Sequence, residues 1–480
     1  MLMITAILLP AIGGPLISNL HIEERLQKIL YVICIALTDI AALSALGSSG
    51  RIQIAEISTG VQLIFQADTL SRCFVPVTVL LFTCILFYAY EYMTMEERRP
   101  LFYTFYFISM GAVIAECFAG NLVTMYLSFE FMTLMSMPLV LHERTKEAVA
   151  AGLKYLFYSI AGAMMGLLAV FFIYHYAGQV RDFAFGGFLD PAKVAGQEVI
   201  LRAAVLLGII GFGAKAGMYP LHGWLPTAHP IAPAPASALL SAMIAKGGIL
   251  AVIRLVYYSA GTSLLKGSFV QYVWMTIALL TIFMGSMMAF RETILKKRLA
   301  YSTISQLSYI MLGLSLMSEE GLTGGLLHVF GHAAAKASLF MAAGTFIYKL
   351  GIRSANGLRG VGKRMPLTLA AFTTAAISLV GIPPMAGFTS KWVIASAALN
   401  SGSGVYAVIG PVMLLISALL TAGYLLPIMV DGYFPGGGAA YTQEDKKEPG
   451  PLMLVPMFVL CAAVLIVGLF GGAIMSGLTF

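Results

Sequence analysis

The 480-residue chain predicts an all-α integral membrane protein of about fourteen transmembrane helices. Hydrophobic residues make up 59% of it and charged residues 11%, whereas soluble domains carry about 25% charged residues. Mean hydropathy is +0.88, and segments long enough to cross roughly 30 Å of hydrocarbon recur from Leu2 to the C-terminus. Five lysines, Lys154, Lys215, Lys246, Lys336 and Lys391, lie inside these apolar stretches. A charge near the bilayer centre costs roughly 2.5 to 3.5 kcal/mol on insertion scales, so such groups face a bundle interior or a wet cavity and mark an ion path.

In chain order, helices are expected over 2–20, 28–46, 70–90, 101–119, 121–141, 149–177 and 200–219. They continue over 230–258, 268–289, 298–317, 321–349, 366–399, 404–430 and 451–475. The first contains Pro10 and Pro15 but neither a basic n-region nor a small-residue cleavage site, so it reads as a retained span. Between the second and third, Gly47 to Gln66 offers alternating Ile52, Ile54, Val61, Leu63 and Phe65, which fits a short β-hairpin or a structureless loop. The segment Gly436 to Pro451 is glycine-rich, then charged, and reads as a solvated loop.

Basic residues set the orientation. With the N-terminus outside, the inner loops receive Arg25, Lys28, Arg98, Arg99, Arg144, Lys146, the cluster Arg291 to Arg298, the run Lys349 to Arg364, and Lys446 and Lys447. The outer side keeps fewer, among them Arg51, Arg72, Arg181 and Arg254, and both termini fall on the outer face of a cell's inner membrane. The same bias accounts for the net charge of +7 without nucleic acid. Cys34, Cys73, Cys84, Cys117 and Cys461 are scattered with no ligand spacing, as expected of buried thiols.

Two helices read as broken. One break falls at Lys215 to Pro220, with more prolines up to Pro235; the other falls at Gly381 to Gly387, around Pro383 and Pro384. Backbone groups freed by proline and glycine survive in a membrane only where protein or water surrounds them. A lysine flanks each break, Lys215 before the first and Lys391 after the second. Such breaks in two halves point to an inverted-repeat transporter.

The ionisable groups then fall into place. Glu130 is mid-span with no charge near it in sequence, and Lys215 is its natural partner, as a coupled pair in ion transfer or as a static pair fixing helix packing. Lys246 is mid-helix, where burial and a neighbouring carboxylate act on a lysine in opposite senses, which suits a proton relay. His328, His332 and Lys336 recur every four residues and form one polar stripe, a candidate proton wire. Their H-x-x-x-H spacing also fits a metal pair, but Val329 stands where a zincin carries glutamate, and no metal is expected. Lys154, near its helix start, is balanced between snorkelling and function. Asp39 is deep, Glu116 and His175 lie toward helix ends, and His222 and His229 flank the first break as an inner proton inlet or as caps. Few carboxylates against many lysines and histidines suits protons better than Na⁺, which prefers oxygen ligands.

The run Gly213 to Ser237 with Lys246-Gly-Gly, the segment Lys297 to Tyr309, the stretch His328 to Lys336, and Gly381 to Lys391 together resemble the antiporter-like subunits of respiratory complex I, Mrp antiporters and membrane-bound hydrogenases. The resemblance covers nearly the whole chain. It implies a three-helix region at 1–100, inverted five-helix repeats at 101–258 and 268–430, and an inner loop with a last helix at 431–480. It further implies that Glu130 and Lys215 serve the first half-channel and Lys246 the central link. His328, His332 and Lys336 would line the second half, ending at Lys391. A lysine at 391, where one complex I subunit type has glutamate, and the end of the chain just after the last span bring it nearest to the D-type component of Mrp antiporters and its hydrogenase relatives.

The expectation is a proton-translocating subunit of a multisubunit respiratory or hydrogenase-type complex, beside homologous antiporter-like subunits in the lipid bilayer. No motif for a nucleotide, flavin or cluster is present, so no cofactor is expected and redox energy would come from partners. The alternative is a Na⁺/H⁺ antiporter subunit of Mrp type. A quinone-binding chain and a passive anchor are further rivals.

Overall fold

A computed structural model describes residues 1–48, 50–58, 60–436 and 446–477, so most of the expected loop from Gly436 to Pro451 lies outside the described residues. The fold is almost wholly helical: α1 (Leu2–Asn19), α2 (Glu24–Ala45), α3 (Thr69–Tyr92), α4 (Arg99–Phe118), α5 (Leu122–Val140), α6 (Lys146–Ala177), α7 (Glu198–Lys215) and α8 (Leu225–Ile231). After these come α9 (Ala234–Ala260), α10 (Phe269–Arg291), α11 (Leu295–Ser315), α12 (Glu319–Leu350), α13 (Pro366–Val380), α14 (Ala386–Leu399), α15 (Tyr406–Tyr433) and α16 (Pro451–Ser476). Among the described residues, 11 helices are long and apolar enough to cross a membrane. Three expected spans fall short of that criterion for local reasons. The α7 helix carries Glu198, Arg202 and Lys215, α11 is rich in Ser302, Thr303, Ser305, Gln306 and Ser308, and the segment 366–399 is split into α13 and α14.

The segment after α2 is a hairpin, β1 (Arg51–Ser58) paired antiparallel with β2 (Val61–Gln66). It is pinned to the bundle by Ile64, whose N–H donates to Thr124 Oγ1 at 2.9 Å and whose carbonyl accepts from Gly120 at 2.8 Å. All five cysteines are buried and free.

The core lies around α9 and α12, whose apolar windows are wholly buried, while α1, α6, α15 and α16 turn much of their surface outward. Along α15 the outward row is Val408, Val412, Leu415 and Leu419, as expected of a helix facing lipid or another apolar surface. Helix α6 packs along α7, α10 along α11, and α12 against α13, α14 and α16.

Both breaks are present, and at the first the helix ends a few residues short of the expected bound at 219. Helix α7 stops at Lys215 itself and not near residue 219; the chain then turns through Gly217, whose φ of +75° suits glycine, before α8 begins. An added Cβ at Gly217 would stand 2.3 Å from Leu225, so the turn is also tightly packed. The second break turns at Gly381, φ +95°, and is closed by Gly387, where a Cβ would stand 1.8 Å from the Ser378 carbonyl oxygen.

Candidate functional site

Lys215, Lys246, His328, His332 and Lys336 are at most 2% exposed and Lys391 is 9% exposed. Held in lipid, five or six such groups would cost as much as a typical domain's entire stability of roughly 5 to 15 kcal/mol. Their burial inside the bundle among polar partners removes that cost.

The Lys215 ammonium donates to Thr133 Oγ1 at 2.7 Å, Tyr155 Oη at 2.5 Å and Ser159 Oγ at 3.5 Å, and lies 4.4 Å from the Tyr155 ring centroid. Tyr155 Oη in turn meets Ser136 Oγ at 2.7 Å. Of the two expected forms of the pair, the static contact is not formed: Lys215 makes no ion pair with Glu130 among the described residues, although each charge acts on the other. Glu130 is half-buried one helical turn from Thr133, its Oε1 has no partner among the described residues, and the Lys215 ammonium is taken up by hydroxyls instead.

Glu116, set aside in the sequence as a helix-end residue, is a second carboxylate of this region. It is 1% exposed, neither oxygen has a partner among the described residues, and the charged groups that face it are Lys215 and Arg254. A Cβ on Gly247 would stand 2.7 Å from its Oε2, so the carboxylate lies against the backbone of the helix that carries Lys246. One signal does mark it: a carboxylate in the last turn of α4 opposes the helix dipole, a placement that helix stability alone disfavours. Glu116→Gln is expected to slow ion translocation roughly 10- to 100-fold while leaving the complex assembled, since it removes one proton-accepting group without changing shape. Transport assays on assembled complex check this.

Lys246 donates to the Ser241 carbonyl at 2.7 Å and meets His332 Nδ1 at 2.8 Å. The first contact depends on a π-helical turn at Leu240–Ile244, which loosens the regular backbone ladder. With a charged Lys246, which can only donate, Nδ1 is the acceptor and Nε2 carries the proton of a neutral ring. His332 stacks on His328 at 5.8 Å between centroids, and His328 Nδ1 meets Ser390 Oγ at 2.8 Å, one residue before Lys391. The expected stripe is therefore intact through the two histidines. Lys336 departs from it, bonding instead to the Leu299 carbonyl at 2.9 Å and to Ser302 Oγ.

Lys391 donates to the carbonyls of Leu379 (2.6 Å) and Val380 (3.0 Å), the last of α13, and lies 5.1 Å from the Tyr309 ring. It thus caps one half of the broken helix from the other. Tyr309 Oη donates to Ser417 Oγ at 2.6 Å, which joins Ser286 and Ser305. The surroundings of Lys215 and Lys391 are built alike: a lysine against a tyrosine ring, and the tyrosine hydroxyl bonded to serines.

The remaining expected residues lie near the two breaks. Pro220 follows the turn after α7, and Pro383 and Pro384 lie in the turn between α13 and α14. His222 is half-buried, stacked on Tyr219 at 5.8 Å. His229 is fully buried in α8, stacked on Phe340 at 4.8 Å, and neither ring nitrogen has a partner among the described residues. Lys154 reaches Thr227 Oγ1 at 3.0 Å and so braces α8. Arg254, counted with the outer basic residues in sequence, is instead buried within α9 and paired with Asp68.

A multi-pass helical bundle with broken helices around a buried line of lysines and histidines is the architecture of an antiporter-like membrane protein. The chain belongs to the family described as NADH:quinone oxidoreductase/Mrp antiporter, transmembrane, whose profile matches residues 119–417. It is 31% identical over 430 residues to the N-type component of the NADH-quinone oxidoreductase of Desulforudis audaxviator, covering 87% of this chain and 83% of that protein. It is 27% identical over 478 residues to the D-type component of the Na⁺/H⁺ antiporter of Alkalihalophilus pseudofirmus, covering 97% and 93%. Its fold is similar to a chain of the membrane-bound sulfane sulfur reductase, an archaeal respiratory membrane complex, with a TM-score of 0.84 at 23% identity over 99% of this chain and 95% of that one.

Proposed function

We propose that this chain moves protons across a cell's inner membrane as one subunit of a multisubunit complex. The observation that carries the reading is the line Lys246–His332–His328–Ser390–Lys391, in which each member is buried and meets or adjoins the next. Glu130, Lys215 and Glu116 stand at its other end. Charge moved on Lys215 alters the field at Glu116 and then at Lys246, so a displacement at one end favours the next. In this reading α7/α8 and α13/α14 each count as one crossing. That gives fourteen spans, inverted repeats at 101–258 and 268–430, and both termini on the outer face.

Partners would be other membrane subunits, homologous ones among them, docked on outward apolar helices such as α15. Energy would come from redox subunits, in keeping with the similarity to a component of a quinone oxidoreductase. The similarity to a Na⁺/H⁺ antiporter component over 97% of the chain supports a second reading, Na⁺/H⁺ exchange.

The test uses the assembled complex in proteoliposomes. Lys215→Ala and Lys391→Ala are each expected to abolish proton translocation, and native translocation is expected to proceed without Na⁺. Native-level transport in both variants overturns the proposal, whereas strict Na⁺ dependence selects the exchange reading.

A further inference from the structure

Apart from the polar line, a cavity of about 460 Å³ opens among the end of α3, the start of α6, the α8–α9 connection and the start of α11. Its walls carry Glu96, Glu143 and Glu147 together with Arg353, and Lys296 lines it from α11. Glu143 and Glu147 are exposed, Glu96 is half-buried, and Lys296 is only 4% exposed, so the cavity grades from a wet acidic mouth to a dry basic floor. Lys296 makes no ion pair among the described residues; its ammonium is held by the carbonyls of Pro230, at 3.4 Å, and Ala232. The residue before Pro230 is His229, with both nitrogens unpartnered among the described residues and the charges of Lys296, Lys336 and Lys246 around it. Burial and the neighbouring Glu143 carboxylate push the Glu96 carboxyl up from its usual range, against the opposing charge of Lys296, which suits it to carry a proton.

We propose, resting on the proton-transport reading, that this acidic cavity is the proton inlet of the central line: its carboxylates gather protons from solvent, and Lys296 passes them to His229 and on toward Lys336 and Lys246. Lys296 must first give its proton to His229 and then accept one from Glu96. Each transfer breaks one N–H or O–H bond and forms one N–H bond, so protons and charge balance. A basic residue that sequence assigns to a solvated loop cluster thereby becomes the gate between solvent and interior.

The test is the triple variant Glu96→Gln/Glu143→Gln/Glu147→Gln in assembled complex, measured for proton translocation at low buffer and low salt. Charged clefts raise local counter-ion encounter rates by roughly 10-fold or more, so about a tenfold slower rate is expected. The native rate should fall as salt screens the mouth, and that of the variant should not. A concentrated small buffer such as imidazole should restore the variant, which a purely structural defect would not allow. Lys296→Met should be slow and should not recover with buffer. A triple variant as fast as native, or one whose loss persists at every buffer concentration, overturns the inlet. If native complex moves no protons at all, it is the proton-transport reading that fails; native translocation with an unaffected triple variant rejects the inlet alone.

Discussion

His332→Leu is expected to reduce proton translocation about 100-fold or more, the scale at which a positioned proton-transfer group contributes. Leucine nearly preserves the volume, so packing between α9 and α12 should survive. Lys246 would keep the Ser241 carbonyl but lose its contact at 2.8 Å to the imidazole, and His328 would lose its stacked neighbour. No other side chain among the described residues bonds to Lys246, so the two halves would be parted at one point. Proton uptake by vesicles containing assembled complex checks this, and a rate within about threefold of native would show that protons bypass the histidines.

The second large effect is on stability. Arg254→Met should destabilise the chain by roughly 3 to 5 kcal/mol, the cost of breaking a buried ion pair by removing one partner. The guanidinium is fully buried, bonded through both Nη atoms to Asp68, and lies 4.6 Å from the Phe183 ring and 5.0 Å from that of Tyr258. Asp68 also caps α3, accepting from Ser71 N at 2.9 Å, so an unpaired carboxylate would strain the cap as well. Adding Asp68→Asn, which still caps, should recover most of the loss. Burial alone would raise the Asp68 carboxyl, but Arg254 and the Ser71 bonds outweigh it and hold it below the usual range. A lowered folded value means that this contribution is present above the ordinary aspartate range near pH 4 and is lost as pH falls through the folded value. Thermal unfolding in detergent as a function of pH measures both effects.

The helices and their breaks are legible in the sequence because both have strong local causes. Long apolar runs have no soluble alternative, and Pro383-Pro384 between Gly381 and Gly387 cannot continue a helix. Lysines within such runs are equally plain. What the sequence hides is set by neighbours. The serine cluster of Ser286, Ser305 and Ser417 is drawn from three helices, and none of its members stands out alone. The π-turn beneath Lys246 is written in Leu240-Ser-Ala-Met-Ile244, residues that fit a regular helix equally well. Glu130 and Lys215 look like a contact pair because charge complementarity gives a sign and not a distance; Thr133 and Tyr155 occupy the place a carboxylate would take. Lys296 is concealed by Lys297 and Arg298 beside it, which make it look like one more loop charge.

The lysine that caps α13 from α14 ties chemistry to shape. While it is charged, Leu379 and Val380 have a strong donor; once it gives its proton away, those carbonyls must share a weaker one. The charge on Lys391 and the hold of α14 on the end of α13 are thus linked at that joint. On the proposed function, a proton leaving Lys391 would loosen the seam that holds it, and a seam pulled open by a neighbour would make that proton easier to lose, so mechanical work and proton release would be exchanged at one residue.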